Sequence, residues 1–135
     1  MIPADQQAAQ PEPGTLADLA AESIRTLNHL TPDALEYPGD LYAVIASLKL
    51  LAQRLPQLLG QLSGWLDHQH TAGRIAHDTR QDAEPYVQDV TSSLAQAAAD
   101  AAALADALNV AHNACSGLKA ADPPAEGTAG TEDRS

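Results

Sequence analysis

The sequence predicts an all-α protein: a long, kinked antiparallel helical hairpin with a shorter N-terminal helix, forming a three-helix bundle between disordered tails. Two observations carry that prediction. Ala and Leu make up about a third of the chain, while Phe is absent and only three Tyr and one Trp occur, too few for a sheet. From Leu41 to Leu66 the apolar residues recur at Leu41, Val44, Leu48, Leu51, Leu55, Leu58, Leu62 and Trp65, in unbroken steps of three and four. A parallel row of Ile45, Ala52, Leu59 and Leu66 follows one residue behind each second member. In heptad letters the two rows make an a/d/e stripe, and Ser47, Lys49, Gln53, Arg54, Gln57, Gln61 and Ser63 stay off it.

Three segments follow from composition: a disordered arm over 1–14, a helical domain over 15–119 and a disordered acidic tail over 120–135. In the first helix Thr15 is the expected cap, with Asp18 completing a capping box. Leu16, Leu19, Ala20, Ile24, Leu27 and Leu30 form its apolar face, and Thr31-Pro32 is its expected stop. Leu35 is expected to tuck inward from a single turn after Pro32. Tyr37-Pro38-Gly39 makes a turn, and Asp40 is the expected cap of the second helix. Pro56 removes one helical hydrogen bond and predicts a kink. Gly60 and Gly64 share one strip and read as locally softened helix rather than a site of close backbone approach.

The reversal is expected over Asp67–Gly73, with the third helix running from about Ala72 to Ser116, kinked at Pro85. Its row is Val87, Val90, Leu94, Ala97, Ala101, Leu104, Leu108, Ala111, Cys115 and Leu118, with Gly117 as cap glycine. A turn centred near Thr71 would set Pro56 level with Pro85 and Leu41 near Ala101. Residues 102–118 would then project ~25 Å beyond the second helix at ~1.5 Å per residue. Leu facing alternate Ala and Leu gives the predicted interaction seam: Leu41, Val44, Leu48, Leu51, Leu55, Leu58, Leu62 and Trp65 against Leu94, Ala97, Ala101, Leu104 and Leu108.

Chemistry is sparse. The net charge of −11 disfavours nucleic acid and anionic membrane surfaces as partners. Lys49, Arg54 and the Gln residues within Leu41–Leu66 disfavour a transmembrane role. The single Cys115 permits no internal disulfide. The N-terminus lacks a basic, then apolar, leader pattern, so the expected location is cytoplasmic. The densest polar cluster is the Asp67–Asp78 hairpin tip, where His68, His70 and His77 are candidate metal ligands for a metal- or ligand-binding module. His68 and His70, two residues apart, diverge on a helix, so a solvated polar tip is the simpler reading. His112 beside Cys115 suggests a Cys–His nucleophile, but Cys115 falls on a core position, which favours a buried thiol. No phosphate loop, nucleophile elbow or HExxH occurs, so the expectation is a non-enzyme with no cofactor and no resident metal. Its expected function is a helical interaction or assembly module, self-associating or binding a helical partner.

The run YPGDLYAVIASLKLLAQRLPQLLGQLSGWL, with the His-rich turn and Ala-rich helix behind it, resembles small uncharacterised actinobacterial helical proteins encoded near conjugative-element or prophage genes. That resemblance covers about residues 24–119 and implies an accessory role in a mobile element. The hairpin is also similar to the small acidic substrates of type VII secretion, which would imply a secreted effector. Those carry Trp-x-Gly between their helices; here the order is Gly64-Trp65, and Tyr86-Val-Gln-Asp89 is one residue short of their Tyr-xxx-Asp/Glu signal.

Overall fold

A computed structural model describes residues 11–122, and most of both predicted tails lies outside them. The fold is all-α, with three helices in order: α1 (Pro13–Ala34), α2 (Pro38–Thr71) and α3 (Glu84–Cys115). Among the described residues there is no strand. The chain divides into two compact units, one ending at Glu36 and one beginning at Tyr37.

In the first unit α1 starts two residues before the predicted Thr15. Glu12 is the cap residue without a side-chain cap bond, and Pro13 opens the helix, where its fixed φ is already helical and its missing N–H costs nothing. The helix also runs past its predicted stop, through Pro32 to Ala34. So close to the end, proline removes a single hydrogen bond, the one to the Asn28 carbonyl, and the Thr31 hydroxyl adds one to the Leu27 carbonyl. Leu35, expected to tuck inward, is the extended residue that ends the helix and stays exposed.

In the second unit α2 and α3 pack together. Tyr37, not Asp40, occupies the cap position of α2, and the Asp40 carboxylate reaches back to accept from the Tyr37 backbone N–H at 3.0 Å. The helix continues unbroken through Pro56. It ends in a Schellman motif: Gly73 takes φ +76°, its N–H donates to the His70 carbonyl at 3.0 Å, and the Arg74 N–H donates to Gln69 at 2.9 Å. This stop corrects the expected start of the third helix at Ala72. Residues 72–83 form a twelve-residue connection, with Arg80 at φ 63° closing a turn onto the His77 carbonyl. The helix begins at Glu84, where Asp82 accepts from the Glu84 N–H at 3.1 Å. Pro85 lies in the first turn, so it starts α3 rather than kinking it. At the other end Gly117 does not take the left-handed conformation foreseen for it; Ser116 and a Leu118-to-Cys115 turn close the helix.

The longer connection resets the register. The Tyr42 ring stacks on His112 at 4.4 Å, and the Cys115 Sγ lies 4.0 Å from the Pro38 carbonyl, so the two helices end together. Nothing projects: Leu41 lies near His112 rather than Ala101, and Pro56 lies level with the middle of α3 rather than with Pro85.

Packing corrects the seam as well. The buried residues are Ala52, with no exposed surface, and Val87, Ala101, Ala105, Cys115 and Ala83. In both helices the a row is kept, and the e row rather than the d row turns inward. On α3, Ala105 is buried while Leu104 is 47% exposed; on α2, Ala52 is buried while Leu51, Leu58 and Trp65 are exposed. Leu41 and Leu62, at the ends of the α2 a row, are exposed too, whereas Leu48, Leu55, Leu94 and Leu108 are half-buried at the seam margins. Val44 and Ala97, also on the d rows, are half-buried. Ala52 lies level with the Ala101–Ala105 turn, so alanine meets alanine and the backbones approach closely.

Two substitutions test this frame by urea unfolding. Ala52→Leu forces extra carbons into the closest part of the seam and is expected to cost about 1–3 kcal/mol. Gly73→Ala meets no neighbouring atom, so its cost is the left-handed φ alone, about 1–2 kcal/mol. Equal stability of Ala52→Leu and wild type would contradict the alanine seam.

Candidate interaction surface

The hairpin has two broad faces of different chemistry. On the first, the b positions of the two helices meet at the edge of the seam: Lys49 Nζ donates to Asn109 Oδ1 at 3.5 Å, and Tyr42 stacks on His112. Gly60 and Gly64 lie on this side, lining a groove of about 310 Å³ with Leu59, Leu94 and Ala98. A Cβ added at either glycine would meet nothing within 4 Å, which agrees with the softened-helix reading.

Since the b rows border the seam on this side, helix geometry places both d rows on the opposite broad face. That face carries Val44, Leu51, Leu58 and Trp65 from α2 and Val90, Ala97, Leu104 and Ala111 from α3. Trp65 is 62% exposed, Leu58 48%, Leu104 47% and Val90 45%. Half of the predicted seam thus stands as a continuous apolar stripe on the surface of the hairpin, turned away from its partner helix. Among the described residues no large side chain is fully buried. A two-helix layer has only one internal seam, and alanines occupy its centre.

The polar tip is organised around His77. Its ring stacks on Tyr86 at 3.7 Å, and its Nδ1 accepts from the Thr79 backbone N–H at 3.2 Å and meets the Thr79 hydroxyl at 2.6 Å. The same Nδ1 lies 3.2 Å from Asp78 Oδ1. The Tyr86 hydroxyl donates to Gln81 Oε1 at 2.8 Å, closing the loop onto α3. His68 and His70 belong to the last turns of α2, His68 exposed and His70 half-buried. Among the described residues no three His, Cys, Asp or Glu side chains are grouped to hold a metal ion. His77 is therefore placed as the pin of the loop, a role with no signal in the sequence beyond the later Tyr86.

At the other end Cys115 is 4% exposed with its thiol against the Pro38 carbonyl. His112 Nδ1 is buried without a hydrogen-bond partner, and its ring is used in the stack with Tyr42. A cavity of about 350 Å³ opens beside them between Pro38, Tyr42, Ser116 and Leu118. These contacts make Cys115 and His112 closing elements of the hairpin's open end.

No family model matches this chain, and no curated protein and no solved structure is significantly similar to it. Among the described residues no helix is long and apolar enough to cross a membrane.

Replacing His77 by Ala removes the stack and the ring's hydrogen bonds to Thr79 while leaving both helices intact. The expected result is faster amide exchange across residues 74–83 with unchanged helicity, and a stability loss of about 0.5–1.5 kcal/mol. Unchanged exchange in the loop would remove His77 from that role.

Proposed function

We propose that this protein is a non-catalytic helical assembly module that associates through the exposed d-row face of its hairpin. The observation that carries the reading is the pair of apolar rows, Leu51, Leu58 and Trp65 beside Val90 and Leu104, left on one broad face. Contiguous apolar surface of this kind marks association sites in water-soluble chains. Its size is adequate. A helix of 34 residues is about 50 Å long, and two side by side are roughly 18 Å wide, giving about 900 Å² per copy. Stable complexes bury about 800 Å² per partner. The acidic balance, −11 in all, suits a protein partner rather than a phosphate backbone. A cytoplasmic accessory role belongs to the same proposal.

Sedimentation of the full chain tests it. A mass of at least twice the 14.1 kDa chain is expected at micromolar concentration. Leu58→Asp, on the exposed face, should lower that mass to one chain without loss of helicity. Leu59→Asp, one residue on and half-buried at the seam, should instead reduce helicity, because a carboxylate is driven into the hairpin's own interior. A wild-type chain that is monomeric at all concentrations overturns the reading.

A further inference from the structure

Resting on that assembly reading, we propose that the occupant of the apolar face is a second copy of the hairpin, related by a two-fold axis parallel to the helices, with Arg54 of each copy paired to Asp100 of the other. Levels along the hairpin are set by Tyr42 against His112. Twelve residues up α2 from Tyr42 is Arg54, and twelve residues back along α3 from His112 is Asp100. The two side chains therefore stand at one height. Both occupy g positions, the row bordering the d row on the apolar side. The other g residues between them and the helix ends are Asp40, Ser47, Gln61 and His68 on α2, and Tyr86, Ser93, Ala107 and Ala114 on α3. Apart from Asp40, which is engaged in the capping box of α2, Arg54 and Asp100 are thus the two fully charged residues of the d and g rows, and they are of opposite sign.

Neither is engaged with the other within the chain. Among the described residues Arg54 has no hydrogen-bond or ion-pair partner, and Asp100 accepts one bond, from Gln96 Nε2 at 3.0 Å. Both are exposed, and each carries its charge toward the margin of the apolar face rather than across the seam.

The chosen axis sets α2 of one copy over α3 of the other, antiparallel and at equal height, with both hairpin tips at the same end. The d rows then meet in four pairs, each occurring twice: Val44 over Ala111, Leu51 over Leu104, Leu58 over Ala97 and Trp65 over Val90. The α2 member is the larger in three of the four, so the rows fill space rather than collide. A two-fold interface is self-complementary, so Arg54 meeting Asp100 in one half requires the same contact in the other. The alternative, with α2 lying on α2, would set the bulky rows against each other.

Charge reversal in separate chains tests the pairing. Full-length Arg54→Asp and Asp100→Arg proteins are measured alone and as an equimolar mixture, by sedimentation for affinity and native mass spectrometry for species. Alone, each carries two like-charged contacts per dimer, and dimerisation should weaken by roughly fivefold to thirtyfold. Mixed, one chain supplies aspartate at both positions and the other arginine at both. The heterodimer regains two ion pairs, so it should exceed the statistical half of all dimers and approach wild-type affinity. Lys49→Asp, on the opposite broad face, should leave dimerisation unchanged. A heterodimer at the statistical proportion, or equal weakening by Lys49→Asp, overturns the pairing while the assembly reading stands. A wild-type chain with no dimer at any concentration overturns both.

Discussion

The packing of Ala52 against the small side chains of α3 is the constraint on which the hairpin depends. At mid-height Ala52 lies level with the Ala101–Ala105 turn, and all three residues are buried. Helix backbones come closest where side chains are smallest, and the closest point fixes how each helix is rotated about its axis. With e positions turned inward on both helices, Leu48, Leu55, Leu94 and Leu108 of the a rows flank the seam half-buried and the d rows face outward. The inward rotation that gains the alanine contact is the same rotation that exposes Leu51, Leu58 and Leu104. Packing within the hairpin and apolar surface outside it are therefore one property.

The second determinant is where the chain turns. Gly73 stops α2 because a left-handed residue there lets Gln69 and His70 receive the bonds that would otherwise continue the helix. Pro85 starts α3 because its missing N–H is harmless only in the first turn. The connection between them, held by His77 against Tyr86, moves the midpoint of the hairpin and brings Cys115 level with Pro38. Both punctuating residues are plain in the sequence. Their roles were not, because the helical spacing of Ile75 and Ala76 is compatible with helix, and the His77 stack that outweighs it is tertiary.

The same division runs through the rest of the molecule. Class, helix order and the apolar stripe of α2 were legible, since periodicity reports which side of a helix avoids water. Which half of a wide stripe meets the neighbouring helix is not encoded in periodicity. Rows a/d and a/e repeat with the same three-four spacing, and the choice rests on the size match of residues 52, 101 and 105 across space. A stripe broader than one neighbour can cover is nevertheless visible in one dimension: Ile45, Ala52, Leu59 and Leu66 form a complete row beside an already complete one. Two full rows on one helix imply two apolar contacts for that helix.

The unlikeness of the two broad faces bears on how far association can proceed. The b side carries Lys49 with Asn109 and the ring pair Tyr42–His112, polar or aromatic groups already engaged within the chain. Adding a third hairpin there would have to desolvate the Lys49 ammonium, a costly step without a counter-charge. The d side has apolar rows and a complementary pair of charges at one height. In the proposed pairing both copies use that one face, so no equivalent face remains on the outside of the pair. An isologous contact of this kind closes, whereas a chain with apolar rows on both broad faces would propagate into a stack. In that pairing an apolar d-row stripe on one broad face gives a finite assembly rather than a stack.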